Sequence, residues 1–388
     1  MIAFFGVGVA QAQGSIEITD QKAEYLFNDS MQFTAQYQST ETMIEGFIFY
    51  QEEGEDHTWV YEGELSDDRR LDVQVELTAD NSPKAFSNVE YWFRFASDHG
   101  DIFESPHYNL YYEDNRYVWQ TLDRPPFTLF WHNGDQAFAE TILAAAQQGV
   151  TRARALLPLP DPLPITFQVY DSPEDVQLVT HLAGYSWLAG HTDPKLGISL
   201  FSLPPGAQQS LEIQRQVPHE LAHVLLYQAL GDDSYSRLPV WLNEGIASNA
   251  ELYSDPLQTE LLQLANSSDT LLPFISLCKA FPQDGISARL AYAQSASFVR
   301  YLYEQYNSVG FGILVDACAH DENCLTASAA SYSKDLLALE SDWRSATFDS
   351  ATGVGAWLRA LPWPTIFTSA LVAIFLWALV RRQSRASK

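Results

Sequence analysis

One short motif limits how the second half of this chain can fold. Residues 219–223 read His-Glu-Leu-Ala-His. On an α-helix, residues at i and i+4 share a face, so the imidazoles of His219 and His223 can bind one zinc ion. Glu220 lies beside them and can accept a proton from a water molecule. Two histidines that merely cap or pack a helix satisfy the same pattern, so the motif alone leaves the metal site open.

A second segment supplies the missing ligand. Residues 241–245 read Trp-Leu-Asn-Glu-Gly and begin another helical stretch. A catalytic zinc keeps three protein ligands and one open position. Glu244, which follows His223 by 21 positions, is the natural third ligand. Taken alone it reads as a solvated glutamate at a helix start, but the upstream motif favours a ligand.

These residues give the chain a family resemblance. It resembles the gluzincin zinc metallopeptidases, the clan of thermolysin and aminopeptidase N, and within them the peptidase-MA-like membrane or secreted proteins of bacteria. The resemblance covers most of residues 20–346. It is carried by VPHELAHVLLYQ, LPVWLNEGIA, AYAQSASFVRYLYEQY and a β-domain that ends in YYEDNRYVWQ.

The resemblance implies a ligand set and a cofactor. It implies that Zn²⁺ is held by His219, His223 and Glu244, with Glu220 as general base and acid. It also implies a mixed sheet with an edge strand along the cleft. Residues 196–201, LGISLF, are the candidate edge strand, and a core strand is an equal alternative.

Two departures from the clan affect these expectations. Pro218 precedes His219 directly, and proline inside a helix loses a hydrogen bond and clashes with the preceding turn. The helix is therefore expected to begin near Pro218 or to be kinked there. The chain also lacks the GxMEN-type motif with which aminopeptidase-N-like enzymes read a free amine, which favours an endopeptidase.

Two further residues are candidates for supporting roles. Glu251, seven positions after Glu244, lies two turns along the same face and can accept a hydrogen bond from a zinc-bound histidine, or it is a surface glutamate. The resemblance implies that Tyr292 can donate a hydrogen bond to the oxyanion, as a downstream tyrosine does in the clan; core packing is the alternative. His181, His191 and His320 lack ligand spacing and are expected at the surface.

The whole chain is predicted to be a multi-domain α+β protein. Residues 15–115 contain short aromatic and β-branched runs separated by turn-rich pieces, which indicates a β-sandwich of immunoglobulin or fibronectin type. The resemblance implies that residues 127–346 form a zincin-type peptidase domain, a mixed sheet plus helices. Strands are predicted at 127–131, 165–170 and 196–203, a helix at 135–157, and mainly helices after Pro205.

The two ends predict attachment to a membrane. Residues 1–12 resemble a signal peptide, with an ordinary apolar strand as the alternative. Residues 365–380 carry no charge and precede a basic tail at 381–388, which indicates one transmembrane helix with a cytoplasmic tail, reached through a linker at 351–364. A buried core helix is the alternative. The expected location is the cell membrane, with the body extracytoplasmic.

Charge restricts the partners. The 49 acidic residues against 22 Lys and Arg give a formal net charge of −27, which argues against nucleic acid. The sequence therefore predicts a membrane-anchored zinc endopeptidase acting on a peptide or protein substrate. One alternative is a cell-surface binding or adhesion protein with an inactive peptidase-like domain. Another is a zinc hydrolase of a non-peptide bond.

The cysteines suit an exported protein. Cys278, Cys318 and Cys324 allow three single pairings with one thiol left over. The resemblance favours the pair Cys278–Cys324, because both segments carry cysteines in that family. Cys318–Cys324 is nearly as plausible locally.

Overall fold

The computed structural model describes residues 16–180, 190–204, 206, 209–320 and 323–349. These residues divide into two units. The first comprises the described residues of Met1–Ala139, Thr166–His191 and Leu200–Gly206. The second comprises those of Glu140–Ile165, Thr192–Ser199 and Ala207–Lys388. The predicted domain limits, 15–115 and 127–346, stay predictions.

The N-terminal region is β-rich, as the sequence predicts. One antiparallel sheet has the strand order β1-β2-β6-β5, and a second has the order β4-β3-β7-β8, with β9 also paired to β7. The strands are β1 (Ile16–Leu26), β2 (Ser30–Ser39), β3 (Met43–Glu52), β4 (Thr58–Glu62), β5 (Glu64–Ser66), β6 (Arg70–Glu76), β7 (Ser87–Ser97), β8 (Ile102–Glu104) and β9 (Tyr108–Tyr112).

Aromatic residues fill the space between these two sheets. Side chains alternate between buried and more exposed along β2, because successive residues of a strand point to opposite faces. The ring of Phe33 on β2 lies 5.9 Å from that of Tyr50 on β3 and 5.2 Å from that of Tyr91 on β7. Tyr37 and Phe95 repeat this contact at 4.9 Å. The two sheets therefore pack face to face, and the immunoglobulin or fibronectin type of the sandwich stays a prediction.

A third sheet follows, with the order β10-β11-β12-β14-β13. The predicted strands at 127–131 and 165–170 are confirmed. The predicted strand at 196–203 is confirmed as β14. Of the two alternatives for residues 196–201, the edge strand is wrong and the core strand is confirmed, because β14 lies between two strands and all five of its residues are buried. The edge is β13, a short polar strand that the sequence analysis missed. The strands are β10 (Gln120–Arg124), β11 (Phe127–Trp131), β12 (Ile165–Tyr170), β13 (Gly190–Asp193) and β14 (Ile198–Ser202).

After the third sheet the chain is mainly helical, as predicted. Asn307 interrupts the longest helix, α7, with a non-helical backbone (φ 55°, ψ −178°). The helices are α1 (Gln136–Leu156), α2 (Pro173–Thr180), α3 (Gln209–Leu230), α4 (Asp232–Arg237), α5 (Val240–Ala250), α6 (Pro256–Ser267), α7 (Gly285–His320), α8 (Ala327–Tyr332) and α9 (Leu336–Arg344), with a 3₁₀ turn at Phe274–Leu277 and a π turn at Ser345–Asp349.

An aromatic core holds the helices of the second unit together. Trp241 on α5 lies 5.0 Å from Phe298 on α7, and Phe298 lies 4.2 Å from Phe274, between ring centroids. Trp343 on α9 closes the cluster at 5.3 Å from Phe274. Such pairs contribute about 0.5–1.5 kcal/mol each beyond their burial. This cluster fixes α5 against α7.

The predicted disulfide is confirmed, since Cys278 and Cys324 are bonded with their Cα atoms 6.1 Å apart. Cys318 is buried and takes no part in that bond.

Several predictions concern segments outside the described residues: the signal peptide at 1–12, the linker at 351–364, the transmembrane helix at 365–380 and the tail at 381–388. Within the part of the chain that the structure describes, no helix has both the length and the apolar character needed to span a membrane.

Candidate metal centre

Helix α3 carries the His-Glu-Leu-Ala-His motif and runs through Pro218. The expectation that the helix begins there is wrong. In a regular helix the N–H of residue 218 would bond the carbonyl of Gln214, and proline has no N–H. The N–H of Leu252 donates to that carbonyl instead, at 2.8 Å. Because a residue beyond α5 pairs with the Gln214 carbonyl, the helix continues through Pro218 without leaving that carbonyl unpaired.

Helix α5 brings Glu244 to the histidines. The Glu244 Oε2 atom lies 3.3 Å from Nε2 of His219 and 3.6 Å from Nε2 of His223. One ligand atom from each of these three residues lies within 4.8 Å of the others. Within the described residues, no other group of three or more His, Cys, Asp or Glu side chains converges in this way.

Each histidine is oriented through its other ring nitrogen. His219 Nδ1 lies 2.9 Å from Glu251 Oε1, and His223 Nδ1 lies 3.0 Å from Asn243 Oδ1. An ionised carboxylate and an amide oxygen only accept hydrogen bonds, so both Nδ1 atoms carry the hydrogen. Both Nε2 atoms therefore face Glu244, and each offers a lone pair to a metal once it has lost its proton. Two imidazoles and one carboxylate, each histidine oriented by an oxygen acceptor, fit a catalytic zinc site.

Glu251 thus lies where the sequence analysis placed it as one of two alternatives. It is buried, and Arg152 on α1 donates to its main-chain oxygen. Asn243 was missed, although it stands inside the Trp-Leu-Asn-Glu-Gly segment directly before Glu244. Tyr235 on α4 was also missed, and its hydroxyl accepts from Asn243 Nδ2 at 3.0 Å.

Burial and charge set the protonation of the metal-free cluster. Burial lowers the pKa of His219, but hydrogen bonds and charge from Glu244 and Glu251 outweigh it and raise the pKa to about 10. Burial likewise lowers the pKa of His223, and Glu244 reverses the direction, so the pKa lies above its usual value. Burial raises the pKa of Glu244, but the two histidines outweigh it and hold the pKa well below the usual range. The cluster is therefore a tight ionic group that releases protons when a metal binds.

The two predicted catalytic residues border the cluster. Glu220 lies on α3 between the two histidines, and its Oε2 accepts a hydrogen bond from the Thr192 hydroxyl at 2.8 Å. Thr192, on β13, was missed by the sequence analysis. The Tyr292 ring on α7 lies 6.2 Å from the His219 ring. Burial and the charges of Glu244, Glu220 and Glu251 raise the pKa of Tyr292 well above its usual value, so its phenol keeps its proton.

Among the residues that the structure describes, no other histidine is part of the cluster. His191 lies on β13, His320 is exposed at the end of α7, and His181 lies outside the described residues.

Comparison with known proteins identifies a family. A sequence model of the Peptidase MA superfamily matches residues 145–349, which include every residue of the cluster. No protein of curated function matches the chain.

Three solved structures show weak likenesses to the chain. One is an M1 zinc metallopeptidase from Deinococcus radiodurans bound to a Tyr-Ser-Ala substrate, at TM-score 0.35 and 12% identity, with 85% of this chain and 93% of that chain covered. A carbohydrate-binding module of family 56, a β-1,3-glucan-binding domain, aligns at TM-score 0.17 and 13% identity, covering 26% of this chain and 99% of its own. A myokine aligns at TM-score 0.21 and 10% identity, covering 25% of this chain and 95% of its own. At these scores none of the three bears on function.

Proposed function

The chain belongs to the peptidase MA superfamily, and we propose that it is a zinc-dependent endopeptidase. One observation carries the proposal: the Nε2 atoms of His219 and His223 and the Glu244 carboxylate converge, while Glu251 and Asn243 engage the far side of each ring. A pair of histidines that only packed or capped α3 would need no third converging ligand and no acceptor behind each ring.

His219, His223 and Glu244 would hold the zinc ion. When bound, zinc acts as a Lewis acid that polarises the substrate carbonyl and makes water a better nucleophile. Glu251 and Asn243 keep the two rings in the tautomer that a metal requires.

Glu220 performs the proton transfers. As general base its carboxylate takes a proton from the attacking water, and as general acid it returns that proton to the leaving amine. Tyr292 stays protonated, so its hydroxyl can donate a hydrogen bond to the oxyanion that develops on the substrate carbonyl.

The substrate is a peptide or protein cut at internal bonds. The absence of a GxMEN-type motif from the sequence favours this over removal of N-terminal residues. The predicted segments at 1–12 and 365–380 support an extracytoplasmic body held at a membrane by one helix. The net charge of −27 disfavours nucleic acid as a partner.

A peptide-library digest by the full chain, read by mass spectrometry with and without a zinc chelator, tests the proposal. Chelator-sensitive internal cleavages are expected. Glu220→Gln is expected to keep one zinc per chain and to lose hydrolysis. Retained turnover in that variant would contradict the role of Glu220.

Other outcomes point elsewhere. Cleavage confined to N-terminal residues would indicate an aminopeptidase. No cleavage by a chain that holds one zinc would favour the binding or adhesion protein, or a zinc hydrolase of another bond.

A further inference from the structure

Thr192 on the edge strand β13 contacts the proposed general base at two points. Its Oγ1 atom lies 2.8 Å from Glu220 Oε2 and 3.3 Å from the main-chain oxygen of Glu220. Among the described residues no other hydrogen bond reaches the Glu220 carboxylate. One hydroxyl on the sheet therefore contacts both the backbone and the side chain of a residue on α3.

The single hydrogen of this hydroxyl has a preferred direction. Three oxygens surround Thr192 Oγ1: the two of Glu220 and Oγ of Ser199, at 2.9 Å. All three can accept, but an ionised carboxylate is the strongest acceptor and is also the nearest. The hydrogen therefore points at Glu220 Oε2. Ser199 on β14 is fully buried and supports Thr192 from the neighbouring strand.

This contact limits the freedom of Glu220. A glutamate has three side-chain torsions, and an unrestrained carboxylate on a helix samples several rotamers. The hydrogen bond from Thr192 to Oε2 holds the carboxylate in one orientation, so Oε1 is the oxygen that accepts a proton from water. A general base must lie within hydrogen-bond reach of the proton that it abstracts, so this restraint affects the rate of the chemical step.

The contact does not involve the metal ligands. The structure gives Thr192 no hydrogen bond to His219, His223 or Glu244 within the described residues. Loss of its hydroxyl should thus leave zinc content unchanged.

The geometry points to Thr192 as the positioning residue of Glu220: its hydroxyl holds Oε2 so that Oε1 receives the proton of the attacking water. This inference rests on the proposed peptidase function. On this inference, the position of the general base depends on a hydrogen bond from the edge strand β13.

The test compares Thr192→Val, which keeps the shape and removes the hydroxyl, with Thr192→Ser, which keeps the hydroxyl. Steady-state kinetics of the full chain on a peptide from the library digest are expected to show kcat reduced about 10- to 100-fold in Thr192→Val, the range seen for outer-layer partners, with KM within about twofold. Thr192→Ser is expected to recover kcat to within about threefold. Thr121→Val, an exposed change on β10 at the other edge of the sheet, is the matched control and is expected to match wild type.

A second readout does not depend on activity. Crystal structures of zinc-loaded wild type, Thr192→Val and Thr192→Ser are expected to show the Glu220 carboxylate displaced or in several rotamers only in the valine variant. Zinc content should stay at one per chain in all three.

Several results would overturn the inference. Two are kinetic: Thr192→Val keeps the wild-type kcat, or Thr192→Ser lowers kcat as much as Thr192→Val does. Two are structural: Thr192→Val loses zinc, or its crystal structure shows the Glu220 carboxylate in the wild-type position. If the zinc-loaded wild type cleaves nothing, the proposed function fails. The crystal structures then still decide whether Thr192 positions Glu220.

Discussion

The substitution Gly245→Ala tests how closely α5 must approach α7 to place Glu244. A Cβ atom at position 245 would lie 2.6 Å from the main-chain oxygen of Ser295 on α7 and would also contact the Val299 side chain. Ordinary van der Waals contact of a Cβ begins at 3.4 Å. Because the oxygen belongs to the backbone of a buried helix, it cannot rotate away. Helix α5 must move by about 0.8 Å, the difference between these two distances.

Two free-energy terms oppose each other. Alanine is favoured over glycine inside a helix by about 1 kcal/mol. Overpacking a close-packed core costs about 1–3 kcal/mol, and contact with fixed backbone puts this site at the upper end. We therefore expect the free energy of unfolding of the metal-free chain to fall by about 2 kcal/mol.

The same shift affects the metal. Glu244 precedes position 245, so its carboxylate moves with the helix, and ligand distances tolerate only about 0.2 Å. We expect zinc affinity to fall at least about tenfold, measured by competition with a chromophoric chelator, with unfolding followed in urea plus chelator.

The matched control is Gly285→Ala. Gly285 begins α7, and a Cβ there would meet no heavy atom within 4 Å. We expect its unfolding free energy to stay within about 0.5 kcal/mol of wild type and its zinc affinity to be unchanged. Wild-type stability and zinc affinity in Gly245→Ala would refute the close α5–α7 contact as the feature that positions Glu244.

Three further predictions follow from the same cluster. Glu251→Gln removes the charge behind the metal-binding histidine and should lower zinc affinity about 10- to 100-fold in a competition titration, whereas Glu260→Gln on the exposed face of α6 should not. In the presence of a chelator, the pKa of His219 in the folded chain is raised to about 10, against about 6.5 in the unfolded chain. The protonated ring therefore stabilises the fold fully below pH 6.5, and this stabilisation is lost as the pH rises towards 10. The Tm of the metal-free chain should fall between these pH values, and a Tm that stays constant would contradict the ionic cluster. Pro218→Ala restores an N–H that competes with the Leu252 amide for the carbonyl of Gln214. The Leu252 amide should therefore exchange its hydrogen with solvent faster than in wild type, and an unchanged exchange rate would contradict this explanation.

Local patterns predicted the parts of the molecule that depend on local rules. The strands at 127–131 and 165–170 and the helix near 135–157 were read from periodicity and turn residues. The i and i+4 spacing of His219 and His223 places them on one face of any helix, whatever surrounds it.

The failures all concern partners that lie far away in the chain. Helix α3 was expected to begin near Pro218 or to be kinked there, and the first alternative is wrong. Proline lacks the N–H that would pair with a carbonyl one turn earlier. That carbonyl is paired by Leu252, 38 residues from Gln214, and no local pattern shows this contact. For residues 196–201 an edge strand and a core strand were equal alternatives, because an apolar strand can lie at an edge or inside a sheet until its neighbours are known.

The sequence by itself determined the chemistry that is available: two imidazoles on one face of a helix, a glutamate beside them, and a second glutamate 21 positions after His223. Only the tertiary structure decided which oxygens stand behind the rings and which hydroxyl holds the base. Asn243 lies in the first turn of α5, Glu251 directly follows that helix, and Thr192 lies on β13. Side-chain type and helical spacing are local properties, whereas a hydrogen bond between two elements exists only after the core has fixed their distance.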